Sequence, residues 1–176
     1  MNIGLVIWEK CMSEAATQLA DQLDAVTRDF IGVVQACTPE QWARTTGSEG
    51  WSVGVVAHHA AVSYPAFGQL VQALAAGVQD IPPVSAEQLH EGNARHAREF
   101  AHAGKPETLD LLRNGGNTLV QTIRDLSDEQ LGITTGILFG GEMSLTQIIE
   151  RIVIGHPASH LASIRATLTD SAEAAE

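Results

Sequence analysis

His156 and His160 stand four residues apart in the segment Ile154-Gly155-His156-Pro157-Ala158-Ser159-His160. On a helix this spacing sets two imidazoles on one face, one turn apart, where they can share a single ion. Spacing alone is a weak signal, because such pairs also arise by chance. The neighbouring residues strengthen it. Ile149, Ile152, Ile164 and Leu168 fall in the same helical phase, so both rings are predicted to face the interior of a bundle. An imidazole buried there needs a partner, either a hydrogen-bonding group such as Ser159 or Ser163, or a metal ion.

A third ligand must come from another helix. His59, in the run Val55-Val56-Ala57-His58-His59, lies on an inward stripe between Val55 and Val62 or Ser63, while His58 is rotated by about 100°. Three neutral imidazoles with an open coordination position suit zinc or nickel, and an ion so held acidifies a water molecule. Pro157 disfavours helical geometry at His156, so either the helix bends there and aims that ring, or one helix ends at Gly155 and another starts at Pro157. Asn93 and His96 share a stripe on a separate helix. They are candidates for a donor behind the ligands, a substrate contact or an extra ligand, unless they are only polar residues at a helix edge. Trp51 reads as a core anchor, and His90 and His102 as solvated surface.

Five helices of bundle length are predicted to position these groups. The first carries Leu19, Leu23, Val26, Phe30, Val33 and Cys37 on one stripe. Thr38-Pro39-Glu40-Gln41 is a capping box that opens a short helical turn bearing Trp42, and residues 45–50 form a loop. A second helix runs from about Ser52 to Gly77, kinked at Tyr64-Pro65. Pro82-Pro83 breaks the pattern. Ser85-Ala86-Glu87-Gln88 then caps a third helix ending near Gly104, with Leu89, Asn93, His96 and Phe100 on its buried side.

The fourth helix opens at Lys105-Pro106-Glu107, buries Leu109, Leu112, Leu119 and Ile123, and is weakened midway by Gly115-Gly116. The Gly- and Thr-rich stretch from Leu131 to Met143, with Ile137, Leu138 and Phe139 as its apolar piece, reads as a crossing loop or a stub of extended chain. Ser144-Leu145-Thr146-Gln147 opens the last helix, whose stripe is Leu145, Ile148, Ile149, Ile152, His156, His160, Ile164 and Leu168.

Two motifs on these helices resemble the DinB-like superfamily, which includes proteins similar to the N-terminal domain of mycothiol-dependent maleylpyruvate isomerase. One is Trp51-Ser52-Val53, followed eight residues after the Trp by His59; the other is the closing segment from Ile154 through His156 and His160 to Arg165. The resemblance spans about residues 13–170. It implies an all-α, DinB-like four-helix bundle with additional short helices, and a divalent metal at His59, His156 and His160. It also implies thiol chemistry, in which a low-molecular-weight thiol such as mycothiol takes the open position and no protein cysteine is required. Pro157 departs from the commonest family pattern.

Length and composition bound what remains. The chain of 176 residues fits one domain, expected over 13–170. Met12-Ser13-Glu14 looks like a natural start, so residues 1–12 are read as a non-native or misassigned extension, and the acidic residues 171–176 as a disordered tail. A formal charge of −11, from 21 acidic and 10 basic side chains with no basic run, repels phosphate backbones and anionic membranes. Nucleic acid and membrane are therefore not expected as partners. Only Cys11 and Cys37 occur, without CxxC spacing, which fits a reduced cytoplasmic chain.

The apolar outer faces expected of the first and fourth helices suggest a homodimer. Three classes of function follow: a metal-dependent thiol S-transferase or hydrolase acting on a small molecule, a non-catalytic or structural metal-binding bundle, and a metal-free helical domain that self-associates.

Overall fold

Short polar side chains that replace missing backbone partners fix most helix starts. In the computed structural model, which describes residues 13–78, 81, 84–135 and 141–173, with side chains as far as 169, α1 (Glu14–Ala36) starts where Ser13 Oγ accepts from the Ala16 amide at 3.0 Å. Helices α2 (Pro39–Trp42), α4 (Ala86–Glu99), α6 (Asp128–Leu131) and α7 (Leu145–Ile148) each begin with a complete capping box, closed by Gln41, Gln88, Gln130 and Gln147. Ser52 caps α3 (Val53–Ala75), and α5 (Lys105–Arg124) carries proline in its first turn. The same Lys105 donates from Nζ to the carbonyls of Gln35 and Cys37, closing the C-terminal end of α1.

The core is one cluster shared by α1, α3, α5 and the C-terminal helical segment. Phe30, Tyr64, Leu112, Leu119, Ile123 and Ile164 are among its fully buried large side chains. Helix α5 packs closely against both α1 and α3, and its glycines explain how. A Cβ on Gly116 would lie 2.6 Å from Thr27 Cγ2, and one on Gly115 would lie 3.0 Å from Tyr64 Cβ. The pair that weakens the helix in isolation thus allows close approach, and α5 runs unbroken through it. Across this contact Thr27 Oγ1 and Tyr64 Oη share a buried hydrogen bond of 3.0 Å. Helix α3 likewise continues through Pro65.

Three features differ from the sequence expectation. No residue of α4 is fully buried, and Leu89 and Phe100 are exposed, because this helix lies on the outside of the bundle and meets it along one edge. The stretch after α6 is the expected stub of extended chain, β1 (Thr134–Thr135) pairing antiparallel with β2 (Met143–Ser144), while Ile137, Leu138 and Phe139 lie outside the described residues. Residues 1–12 and the Pro82-Pro83 pair also lie outside them. The last helix runs to Glu173, past the expected start of a tail, and residues 174–176 again fall outside.

The third difference lies in the last helix itself. Between α7 and α8 (Gly155–Glu173) the chain takes a π-helical turn at Ile149–Ile154, with Gly155 N–H reaching back to the Glu150 carbonyl. The wider turn lets the helix pass Pro157 without ending, which resolves the two geometries left open by that proline. It also shifts the phase. The fully buried line is Ile149, Val153, Pro157, Leu161 and Ile164, so Ile152 and Leu168 are only half-buried, and His156 and His160 stand at the edge of the stripe rather than on its crest. Among the described residues no helix is long and apolar enough to cross a membrane.

Candidate metal centre

His59 projects from the second turn of α3, and His156 and His160 from the first turns of α8. The three rings meet. Each offers one nitrogen, and these nitrogens all lie within 4.8 Å of one another. Centroid separations are 5.1 Å for His59 and His156, 5.2 Å for His59 and His160, and 4.5 Å for His156 and His160. Nitrogens bound tetrahedrally to zinc at about 2.0–2.1 Å stand roughly 3.3 Å apart, so modest ring rotations would close the set on one ion.

The electrostatics favour free lone pairs. Burial, reinforced by the neighbouring His156, His160 and His96 rings, lowers the pKa of His59 to about 3 despite the opposing charge of Glu49. Burial and His160 lower that of His156 to about 4. Both are neutral at physiological pH, as a metal ligand must be. The linkage to stability has a definite sign. An unfolded histidine takes a proton near pH 6.5 and these folded ones refuse it until 3 to 4, so the unfolded state binds more protons across that window. Stability from this source is complete above about pH 6.5 and drains away as the pH falls. For chelator-treated protein we expect the Tm to fall by several degrees between pH 7 and 5, on the order of 1 kcal/mol per pH unit for the pair after discounting for partial exposure. A Tm that stays flat over this interval would show that the rings titrate freely.

Behind His160 lies a group that the sequence reading passed over. Glu49 Oε1 is 2.8 Å from His160 Nδ1, and Ser163 Oγ donates to Glu49 Oε2 at 2.5 Å. Burial would push the Glu49 carboxyl up, but hydrogen bonds from Ser163, His160 and Thr46, with the charge of His160, outweigh it and hold the pKa below its ordinary value. An ionised carboxylate only accepts, so His160 donates from Nδ1, and in the neutral ring Nε2 carries the lone pair. This carboxylate–histidine arrangement orients metal ligands in many proteins.

The loop that presents Glu49 is tightly closed. Thr45 and Ser52 form an antiparallel bridge, Thr46 N–H reaches the Trp51 carbonyl at 2.7 Å, and Gly50 turns the chain at φ 71°. The one available signal was its place, two residues ahead of Trp51 in the motif that leads to His59.

Other nearby residues fall into distinct roles. Ser63 Oγ donates to the His59 carbonyl at 2.9 Å and sits 3.2 Å from His156 Nε2, so it touches two of the three histidines. The Trp51 ring, half-buried against the core, meets His59 edge-on at 5.6 Å. Asn93 lines a cavity of about 440 Å³ that opens from His59 and His156. His96 does not join the three-histidine cluster. Its Nε2 lies 3.4 Å from His58 Nδ1, its ring is hydrogen-bonded to the Val55 backbone, and it approaches His59 only edge-on. His58, turned away from the three histidines, is 2% exposed because Phe100 and His96 cover it from α4. His90 and His102 are exposed, as expected.

This mostly helical four-helix bundle, with three histidines converging from its second and last long helices, is of the DinB-like class. Within that class, the chain belongs to the family of the mycothiol maleylpyruvate isomerase N-terminal domain, whose model matches residues 15–147. The matched span includes His59 and ends short of His156 and His160. A likeness of fold extends further: YfiT from Bacillus subtilis, described as a probable metal-dependent hydrolase with an unusual four-helix bundle topology, superposes with a TM-score of 0.74 at 18% identity. That match covers 93% of this chain and 91% of YfiT. No curated protein matches the sequence.

Proposed function

We propose that the protein binds one divalent metal, zinc or nickel, through His59, His156 and His160, and uses it as a hydrolase or thiol S-transferase on a small molecule. The observation that carries the reading is the convergence of three histidines, two held neutral by burial, beside a cavity and with no fourth protein ligand among the described residues. Such a donor set, three nitrogens and an open position, is of the catalytic type. A bound ion would polarise a carbonyl or lower the pKa of a water or thiol that reaches it. The chain's own part is to hold the ligands: Glu49 fixes the His160 ring, Ser63 braces His156, and Trp51 backs His59.

Family membership favours a thiol co-substrate such as mycothiol, whereas the likeness to YfiT favours water as the nucleophile. Cys37 fits neither role for a protein thiol, being buried with its pKa raised by that burial despite Lys105 nearby. A cytoplasmic homodimer is the setting we propose.

The test is direct. Tag-free protein is stripped with chelator, reloaded with one equivalent of Co(II), and titrated with a small monothiol. A sulfur-to-cobalt charge-transfer band supports an exchangeable position open to thiolates, and turnover of activated esters or electrophiles that disappears with chelator supports catalysis. A cobalt spectrum indifferent to thiol, azide and pH alike would leave only an ion that pins α3 to α8. In the same assay Glu49→Gln, which keeps the shape but removes the charge behind His160, is expected to weaken metal affinity by about 10- to 100-fold. Unchanged affinity would remove Glu49 from the site.

A further inference from the structure

We infer that the cavity opening from His59 and His156 selects an uncharged, largely apolar small molecule; this deepens the functional reading above and rests on it. At about 440 Å³ the cavity is of the size that encloses small ligands. Its walls are Phe67, Leu70 and Ile152 on the bundle side and Val84 and Leu89 on the outer side, and Phe67 also meets the His156 ring edge-on at 5.3 Å.

Val84 and Leu89 are 54% and 48% exposed, among the few large apolar side chains left open to water in the described residues. They stand at the mouth, where an apolar guest would cover them. Besides the histidines, the polar lining consists of Ser63, already engaged with His59 and His156, and Asn93, whose amide makes no hydrogen bond among the described residues. That amide can meet one hydrogen-bonding group of the guest as donor or acceptor.

Charge points the same way. No Lys or Arg lines the cavity among the described residues, and the connection from Gly77 to Ser85 contains none in its sequence. The chain as a whole carries −11, so an anionic group placed anywhere but on the proposed ion itself would enter against the field and find no cationic side chain on the wall to receive it. Arg151 lies nearby in a separate, more open cavity of about 540 Å³ that shares Ile152 and His156 with the first. A carboxylate approaching the histidines from that side would meet it, so the two routes predict opposite charge preferences.

Two fluorescent probes of one skeleton separate them: neutral N-phenyl-1-naphthylamine and its sulfonated analogue 8-anilino-1-naphthalenesulfonate, titrated into chelator-stripped and zinc-loaded protein. In the chelator-stripped protein, where only the side chains of the wall act, the neutral probe is expected to bind about tenfold or more tightly than the sulfonate. Leu89→Lys, a change at an exposed position that the fold tolerates, should weaken the neutral probe several-fold and narrow the ratio. Equal or tighter binding of the sulfonate, no binding of either probe, or a neutral-probe affinity unmoved by Leu89→Lys would each overturn the inference. Neither probe needs the ion. Failure of zinc to bind, measured in parallel by calorimetry, would therefore sink the metal reading while the probe ratio still reports on the cavity.

Discussion

Removing two of the three converging imidazoles should abolish metal content. A His59→Ala, His160→Ala variant purified without a polyhistidine tag is expected to fall from near one equivalent of metal to below about a tenth, because a single remaining histidine cannot chelate. The parent should also gain thermal stability on metal addition, and the variant should not. An ion present at about a hundred times its Kd stabilises the folded state by roughly 2.7 kcal/mol, which raises the Tm of a domain of this size by about 5–10 °C. The variant has a second signature. Without the buried His59 ring, whose pKa is depressed to about 3, the chelator-treated protein should lose less stability than the parent as the pH falls below 6.5. Equal metal content in parent and variant would dismiss the centre, whatever the geometry of the rings.

The second large effect concerns packing and turns on the sign of one substitution. Gly116→Ala should gain about 1 kcal/mol of helix propensity if only the helix mattered. Here the added Cβ would sit 2.6 Å from Thr27 Cγ2, within a contact that also holds the Thr27–Tyr64 hydrogen bond. Overpacking of this kind costs about 1–3 kcal/mol and more when a buried hydrogen bond is disturbed, so the net expectation is a loss of roughly 2 kcal/mol, or about 4–8 °C in Tm. Thr27→Ser deletes the offending methyl and keeps the hydroxyl. In that background the same Gly116→Ala change should turn neutral or stabilising, a reversal that urea denaturation of the four proteins would measure as a coupling energy. If Gly116→Ala is stabilising in the parent background, α5 is not packed against α1 as closely as described.

Both predictions mark the boundary between what is local and what is not. Helix starts were legible because a capping box is complete within four residues. Thr38, Ser85, Ser127 and Ser144 each meet the backbone amide three residues on, and each returning glutamine closes the box. The first of the three converging histidines was legible for a related reason: the phase of Val55 and Val62 on α3 chooses His59 over His58 by rotation alone. Pro157 signalled an irregularity but left bend and break equally open, and the π-turn at Ile149–Ile154 was not legible because carrying the helix past the proline depends on keeping Val153 and Leu161 in the core. That turn moved His156 and His160 from the crest of the buried stripe to its edge, where they face α3.

The amino-acid sequence by itself determined the helices, the family resemblance and the choice of three candidate histidines, because periodicity, capping and i,i+4 spacing are short-range properties of one chain segment. Only the tertiary structure decided what surrounds them. Glu49 reaches His160 across 111 positions of sequence and Ser63 reaches His156 across 93, distances over which no periodicity carries information. The Gly115-Gly116 pair reads as a weakness until Thr27 and Tyr64 are seen to need the space. Helix α4 reads as amphipathic, yet its apolar residues are left open, because a fifth helix laid across the outside of a filled four-helix core has no interior left to enter.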